Sequence, residues 1–183
     1  MPKIFTIIDS EMKKFFKEKE LEKVVIGFPP GRVQFDERWV ESRPISIPGF
    51  SSTCTIKGKF DTVVKFNDSS YGIVDFKTSG VKSEHILLYS RQLHAYAYAL
   101  ENPLDGALTL KPISKLGLLV YEPNSFLVHA SQSASLNGSL FWIEIKRNEE
   151  NFLSFLKEVV AVLDQPNPPG GNPACEWCKY RDT

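Results

Sequence analysis

With 183 residues, 42% of them hydrophobic and 24% charged, the chain can bury a core as one domain without staples. Its 22 basic residues balance 22 acidic ones, which excludes coating of nucleic acid by bulk positive charge but leaves room for a local basic channel. Three cysteines and no secretory pattern at the N-terminus point to a reducing cytoplasm, and no apolar run reaches the ~20 residues of a membrane span.

Asp9 and Ser10 are residues that cap helices, and Met12, Phe15 and Phe16 behind them mark one apolar side of a short amphipathic helix. The segment GFPPG at 27–31 is a loop, because two prolines and two glycines leave no regular alternative. Residues 38–47 read as a strand, with Pro44 suggesting an edge or a bulge. Residues 53–66 alternate: Cys54, Ile56, Phe60, Val64 and Phe66 fall on one face, and Thr55, Lys57, Lys59 and Asp61 on the other. NDSS at 67–70 is turn chemistry, and 71–77 is the return strand.

A helix follows from Ser83 to about Glu101, where Asn102-Pro103 stops it. LGLLVYE at 116–122 has the continuous apolar run of a central strand. Residues 126–130 and 140–145 suggest a hairpin around a flexible SQSASLNGS loop. The last helix, 148–164, carries a stripe of Phe152, Phe155, Leu156, Val159, Val160 and Leu163. Residues 1–164 thus form one domain, an α/β fold with a mixed central sheet flanked by helices and a C-terminal hairpin and helix. Residues 165–183 form a Pro/Gly-rich connector and a tail holding Cys175 and Cys178 in a CxxC pattern.

The chemistry gathers in 58–98. Asp75 and Lys77 are two apart on one strand, so their side chains leave the same face. A carboxylate there can bind a hard cation, and the ammonium beside it can hold or deprotonate a water. Asp61 on the neighbouring strand supplies a second carboxylate. A plain two-residue turn would set Asp61 opposite Phe76 and turn it away from Asp75, so a shared site requires an odd-length loop or a bulge. On the following helix Gln92 and Tyr96 are four apart and share a face, suited to phosphate contact and stacking on a base, while Leu93, Ala97 and Leu100 pack on the sheet.

GKFD with Asp61, IVDFK with Asp75 and Lys77, and QLHAY with Gln92 and Tyr96 together resemble the PD-(D/E)XK nuclease superfamily. Within it the pattern is similar to the RecB-like exonuclease branch, which includes the CRISPR-associated RecB-like nucleases. That resemblance covers residues 38–122 and implies a restriction-endonuclease-like αβββαβ core. It implies Mg²⁺ or Mn²⁺ held by Asp61, Asp75 and the Phe76 carbonyl, with Lys77 positioning the attacking water. It also implies that Gln92 and Tyr96 help bind DNA, beside a partner helicase or a CRISPR-adaptation or repair complex. Branch members carry a further ligand on an N-terminal helix, a role left here to Glu11, Glu18 or Glu41. Iron–sulfur members continue their CxxC into further cysteines; Cys175 and Cys178 read as a remnant Fe–S or zinc site, Cys54 as a buried small hydrophobe, and no Fe–S cluster is expected.

The expected activity is metal-dependent DNA hydrolysis in repair, recombination or CRISPR adaptation. The competing class is a catalytically inactive DNA-binding or scaffold module, which a splayed site or a buried Asp75–Lys77 salt bridge would favour. His85, His94 and His129 read as structural or surface residues, and Lys82 and Arg91 as surface charges.

Overall fold

The computed structural model describes residues 3–17, 19–78, 80–167 and 169–181. Five strands form one sheet in the spatial order β1 (Gly31–Glu41), β4 (Lys57–Phe66), β5 (Tyr71–Lys77), β6 (Ile113–Val128), β7 (Ala134–Ile145). Two short strands, β2 (Ile45–Ser46) and β3 (Thr53–Cys54), pair separately. The helices are α1 (Lys3–Phe16), α2 (Ser83–Glu101), α3 (Glu149–Leu163) and the short α4 (Glu176–Arg181). The order α1, β1, β4, β5, α2, β6 is the αβββαβ core the sequence implies.

The position of β5 follows from its composition. GIVDF is buried at every residue, so the strand needs cover on both faces and partners on both edges. It pairs antiparallel with β4 and parallel with β6. A parallel pair cannot be closed by a tight turn, and α2 is the crossover that joins it. On one side of the sheet Leu93, Ala97 and Leu100 of α2 pack with Phe60, Val63, Ile73, Leu116, Leu118 and Val120. On the other, Met12 and Phe16 of α1 and the turn at Leu21 and Val25 pack with Val64, Phe66, Val74, Phe76 and Leu119.

Several local expectations are corrected. α1 begins six residues before Asp9, so Asp9 and Ser10 are inside the helix rather than its cap; Met12 and Phe16 are buried and Phe15 is exposed. The strand expected at 38–47 starts earlier and ends at Glu41, because Ser42 leaves the sheet to bond Ile56. The strand expected at 53–66 is broken before Lys57, and its alternation fails inside β4. Phe60 and Val63 share one core while Val64 and Phe66 enter the other. The change of face falls opposite Glu37, whose φ of 22° marks an irregular turn of the backbone.

Finally, β6 and β7 are one long arm, paired out to Val128 with Ala134. Most of the segment read as a flexible loop is strand. Pro123 is tolerated because β5 reaches β6 only as far as Val120, and a bulge between Pro123 and Ser125 absorbs the missing N–H. In α3 the expected stripe holds at Phe152 and Val160, while Leu163 is exposed.

Candidate active site

The hairpin between β4 and β5 has a three-residue loop, 67–69. Phe66 N–H donates to Ser70 O at 2.8 Å and Ser69 N–H to Phe66 O at 3.0 Å. Ser69 takes the left-handed conformation (φ 70°) that closes such loops, and Asp68 Oδ1 accepts from Ser70 N–H and Oγ–H. The odd loop length sets the register: Thr62 opposes Val74 and Val63 opposes Ile73. One step further, where the strands part, Asp61 stands across from Asp75. Asp61 Oδ2 there accepts the Phe76 N–H at 3.1 Å, taking the place of a ladder carbonyl.

A cleft of about 630 Å³ opens at this point. Its walls are Phe5, Thr6, Asp9 and Lys13 of α1, Asp61 of β4, Asp75, Phe76 and Lys77 of β5, Thr78, and Tyr89 of α2. Asp75 is only 5% exposed. Burial pushes its carboxyl up to about 6, opposed by the Lys77 ammonium and assisted by the nearby Asp61 charge. Lys77 forms an ion pair with Asp75 Oδ2 and lies 4.4 Å over the Tyr89 ring.

α1 brings a second ammonium. Lys13 Nζ meets Asp9 Oδ2 at 2.8 Å, Glu37 Oε1 at 2.7 Å and Asp61 Oδ1 at 3.1 Å. Burial acts to lower its pKa, but the bonds to Asp9, Glu37 and Asp61 raise it above the ordinary lysine range. Glu37, shared by Lys13 and Lys59, is lowered to about 2. Asp9, Lys13, Glu37 and Tyr89 are site residues the sequence reading passed over. The signal for the first two was their i, i+4 spacing on an amphipathic helix.

The other candidates lie apart from the cleft. Gln92 Nε2 donates to Tyr96 Oη at 3.0 Å, and that pair follows Tyr89 along one face of α2, over Gly58. Glu41 pairs with Lys57 and Glu11 with Lys14, away from the cleft, and Glu18 falls outside the described residues. Cys178 N–H donates to Cys175 Sγ at 3.4 Å, which lowers the Cys175 thiol pKa. Cys54 is half-buried, and its thiol pKa is raised by burial. His94 is buried and fixed: its Nε2 accepts the Asn148 N–H at 2.8 Å and its Nδ1 bonds Ser90 O at 2.7 Å. Arg91 stacks on Phe155, 4.1 Å from the ring centre.

The donor set suits a hard divalent cation. Asp61 and Asp75 are oxygen donors, and the buried Asp75 Oδ2 makes no aligned hydrogen bond. Mg²⁺ is held by one or two carboxylates, with water and substrate phosphate filling the rest. Among the described residues no three His, Cys, Asp or Glu side chains gather as a full protein cage, here or around the CxxC cysteines.

A family model of the PD-(D/E)XK nuclease superfamily matches residues 8–183. Among solved structures, the chain is similar to one titled "Crystal structure of SSO0001". The identity is 14%, the TM-score 0.51, and the match covers 97% of this chain and 66% of that one. This chain therefore spans just under two thirds of that protein, and the likeness is one of fold. No curated protein matches the sequence. Among the described residues no helix is long and apolar enough to cross a membrane.

Proposed function

This chain belongs to the PD-(D/E)XK nuclease superfamily, and from that premise we propose that it is an Mg²⁺- or Mn²⁺-dependent deoxyribonuclease of the RecB-like type, acting as an exonuclease in repair, recombination or CRISPR adaptation. The observation that carries this reading is the placement of Asp61 across from a buried Asp75 at one end of a cleft, with Lys77 in contact with Asp75.

In this reading Asp61, Asp75 and the Phe76 carbonyl hold the metal, which when bound supplies Lewis-acid stabilisation of charge on the phosphoryl group. Asp61 is held for this by the Phe76 N–H and by Lys13, so its orientation is set before substrate arrives. Lys77, steadied by Asp75 and by the face of Tyr89, orients the water that attacks in line with the leaving oxygen. Gln92 and Tyr96, one face of α2 beyond Tyr89, extend this surface for a DNA strand, the phenol for stacking and the amide for phosphate.

The Asp75–Lys77 ion pair favours a second reading, a scaffold module that binds DNA without cutting it. Cleavage of end-labelled linear single- and double-stranded DNA separates the two. Metal-dependent degradation by the wild type, abolished by EDTA and in both Asp75→Ala and Lys77→Ala, is expected. Cleavage that the variants do not abolish, or none with either metal, leaves the scaffold.

A further inference from the structure

Lys13 is the least expected group in the cleft. Its ammonium sits among three carboxylates from three elements: Asp9 of α1, Glu37 of β1 and Asp61 of β4. Its side chain is 15% exposed, and Asp61 Oδ1 is 3.1 Å away. Two-metal phosphodiesterase sites place their cations ≈ 3.5–4 Å apart, bridged by a shared carboxylate. The Lys13 ammonium already supplies a positive charge at the point where a second cation would draw its ligands from Asp9, Glu37 and Asp61.

The charge balance points the same way. Four carboxylates (Asp9, Glu37, Asp61 and Asp75) meet three ammonium groups (Lys13, Lys59 and Lys77), leaving one net negative charge. One divalent cation together with one phosphodiester brings the cleft to neutrality, whereas a second divalent cation would leave it strongly positive.

We infer that this is a one-metal site in which Lys13 permanently takes the place of a second cation. The inference rests on the metal-site reading above and deepens it. Asp9 and Glu37 then serve the ammonium rather than a metal, and Lys13 is a positioning residue for Asp61.

The test counts Mn²⁺ bound per chain, by calorimetry and by electron paramagnetic resonance of the full chain. The wild type is expected to bind one Mn²⁺ in the cleft, lost in Asp75→Asn, with the spectrum of an isolated ion. Lys13→Met and Lys13→Gln free Asp9, Glu37 and Asp61, and are expected to bind two, with the altered spectrum of a coupled pair. Lys13→Arg keeps the charge and is expected to bind one. Two Mn²⁺ in the wild type, both lost in Asp75→Asn, would overturn the inference and leave the nuclease reading standing. One Mn²⁺ in folded Lys13→Met and Lys13→Gln would overturn it as well. No Mn²⁺ in the wild type would overturn the metal site itself, and the inference with it.

Discussion

The ring of Tyr96 occupies the space a side chain at Gly58 would need: a Cβ there would fall 2.7 Å from Tyr96 Cε1. This contact gives a physical reason for two features of the sequence at once, a glycine three residues before Asp61 and a tyrosine four residues after Gln92. The glycine lets α2 lie close to β4, and the closeness carries Tyr89 of the same helix to the cleft.

Gly58→Ala is therefore expected to cost about 1–3 kcal/mol through overpacking, since its backbone is otherwise open to alanine. In a Tyr96→Ala background the same change should cost only a few tenths of a kcal/mol, as the coupling is a direct contact. Urea unfolding of the four proteins measures both. An equal cost in the two backgrounds would mean that the glycine serves the strand and not the ring.

Asp75 carries a pH dependence whose sign follows from its pKa. The folded chain holds its proton up to about 6, against an ordinary 3.8, so the folded state binds that proton more tightly than the unfolded one. The stabilisation is complete below about pH 4 and is lost as pH rises through 6, a difference of about 3 kcal/mol. Asp75→Asn stays neutral throughout. In EDTA it should be more stable than the wild type by up to that amount at pH 8, and nearly equal to it at pH 4. A variant less stable at pH 8 would show that the ion pair with Lys77 outweighs burial.

Much of the fold was legible because it is written in short-range patterns. The continuous apolar run at 116–122 in β6, the helix stop at Asn102-Pro103 and the parity of Asp75 and Lys77 each depend on neighbours in sequence. A shared site required an odd-length loop or a bulge after Phe66, and the three-residue loop at 67–69 is the first of the two.

What was not legible depends on contacts between distant segments. The i, i+4 spacing of Asp9 and Lys13 is local, but it reads equally as a solvated helix pair; Lys13 becomes a cleft residue because α1 crosses the sheet beside Glu37 and Asp61. The face change in β4 falls opposite the irregular backbone of Glu37 on β1, a pairing between distant segments. The strand read at 116–122 runs on through Pro123, which is harmless only because β5 has already stopped at Lys77. Asp9 read as a cap for the same reason: capping residues are recognised by type, and this one is spent on an ammonium instead.

Lys77 opposes the rise in the Asp75 pKa, so removing its charge should raise that carboxyl further. Mn²⁺ competes with the Asp75 proton, and wild-type affinity should strengthen as pH rises through about 6. In Lys77→Met the midpoint of the affinity profile should move to higher pH, while affinity at high pH should rise because no ammonium in contact with Asp75 then repels the cation. DNA cleavage should be lost at every pH. An unshifted profile would mean that Lys77 does not sense Asp75 in solution.

The end of α2 is tied to the start of β6 by one pair. Glu101 accepts hydrogen bonds from Ile113 N–H at 2.8 Å and Arg147 Nη1 at 3.0 Å, and Arg147 also bonds the Ile113 carbonyl. Glu101 and Arg147 are both largely buried, with side chains 15% and 26% exposed. Arg147→Met leaves a carboxylate with one backbone partner and should cost about 3 kcal/mol. Glu101→Gln in the same chain removes that stranded charge while keeping an acceptor for Ile113, and should recover much of the loss. Mn²⁺ affinity should change little in either variant, because the pair sits at the far end of α2 from Tyr89. A parallel loss of stability and metal affinity would show that the crossover helix holds the cleft open as a unit.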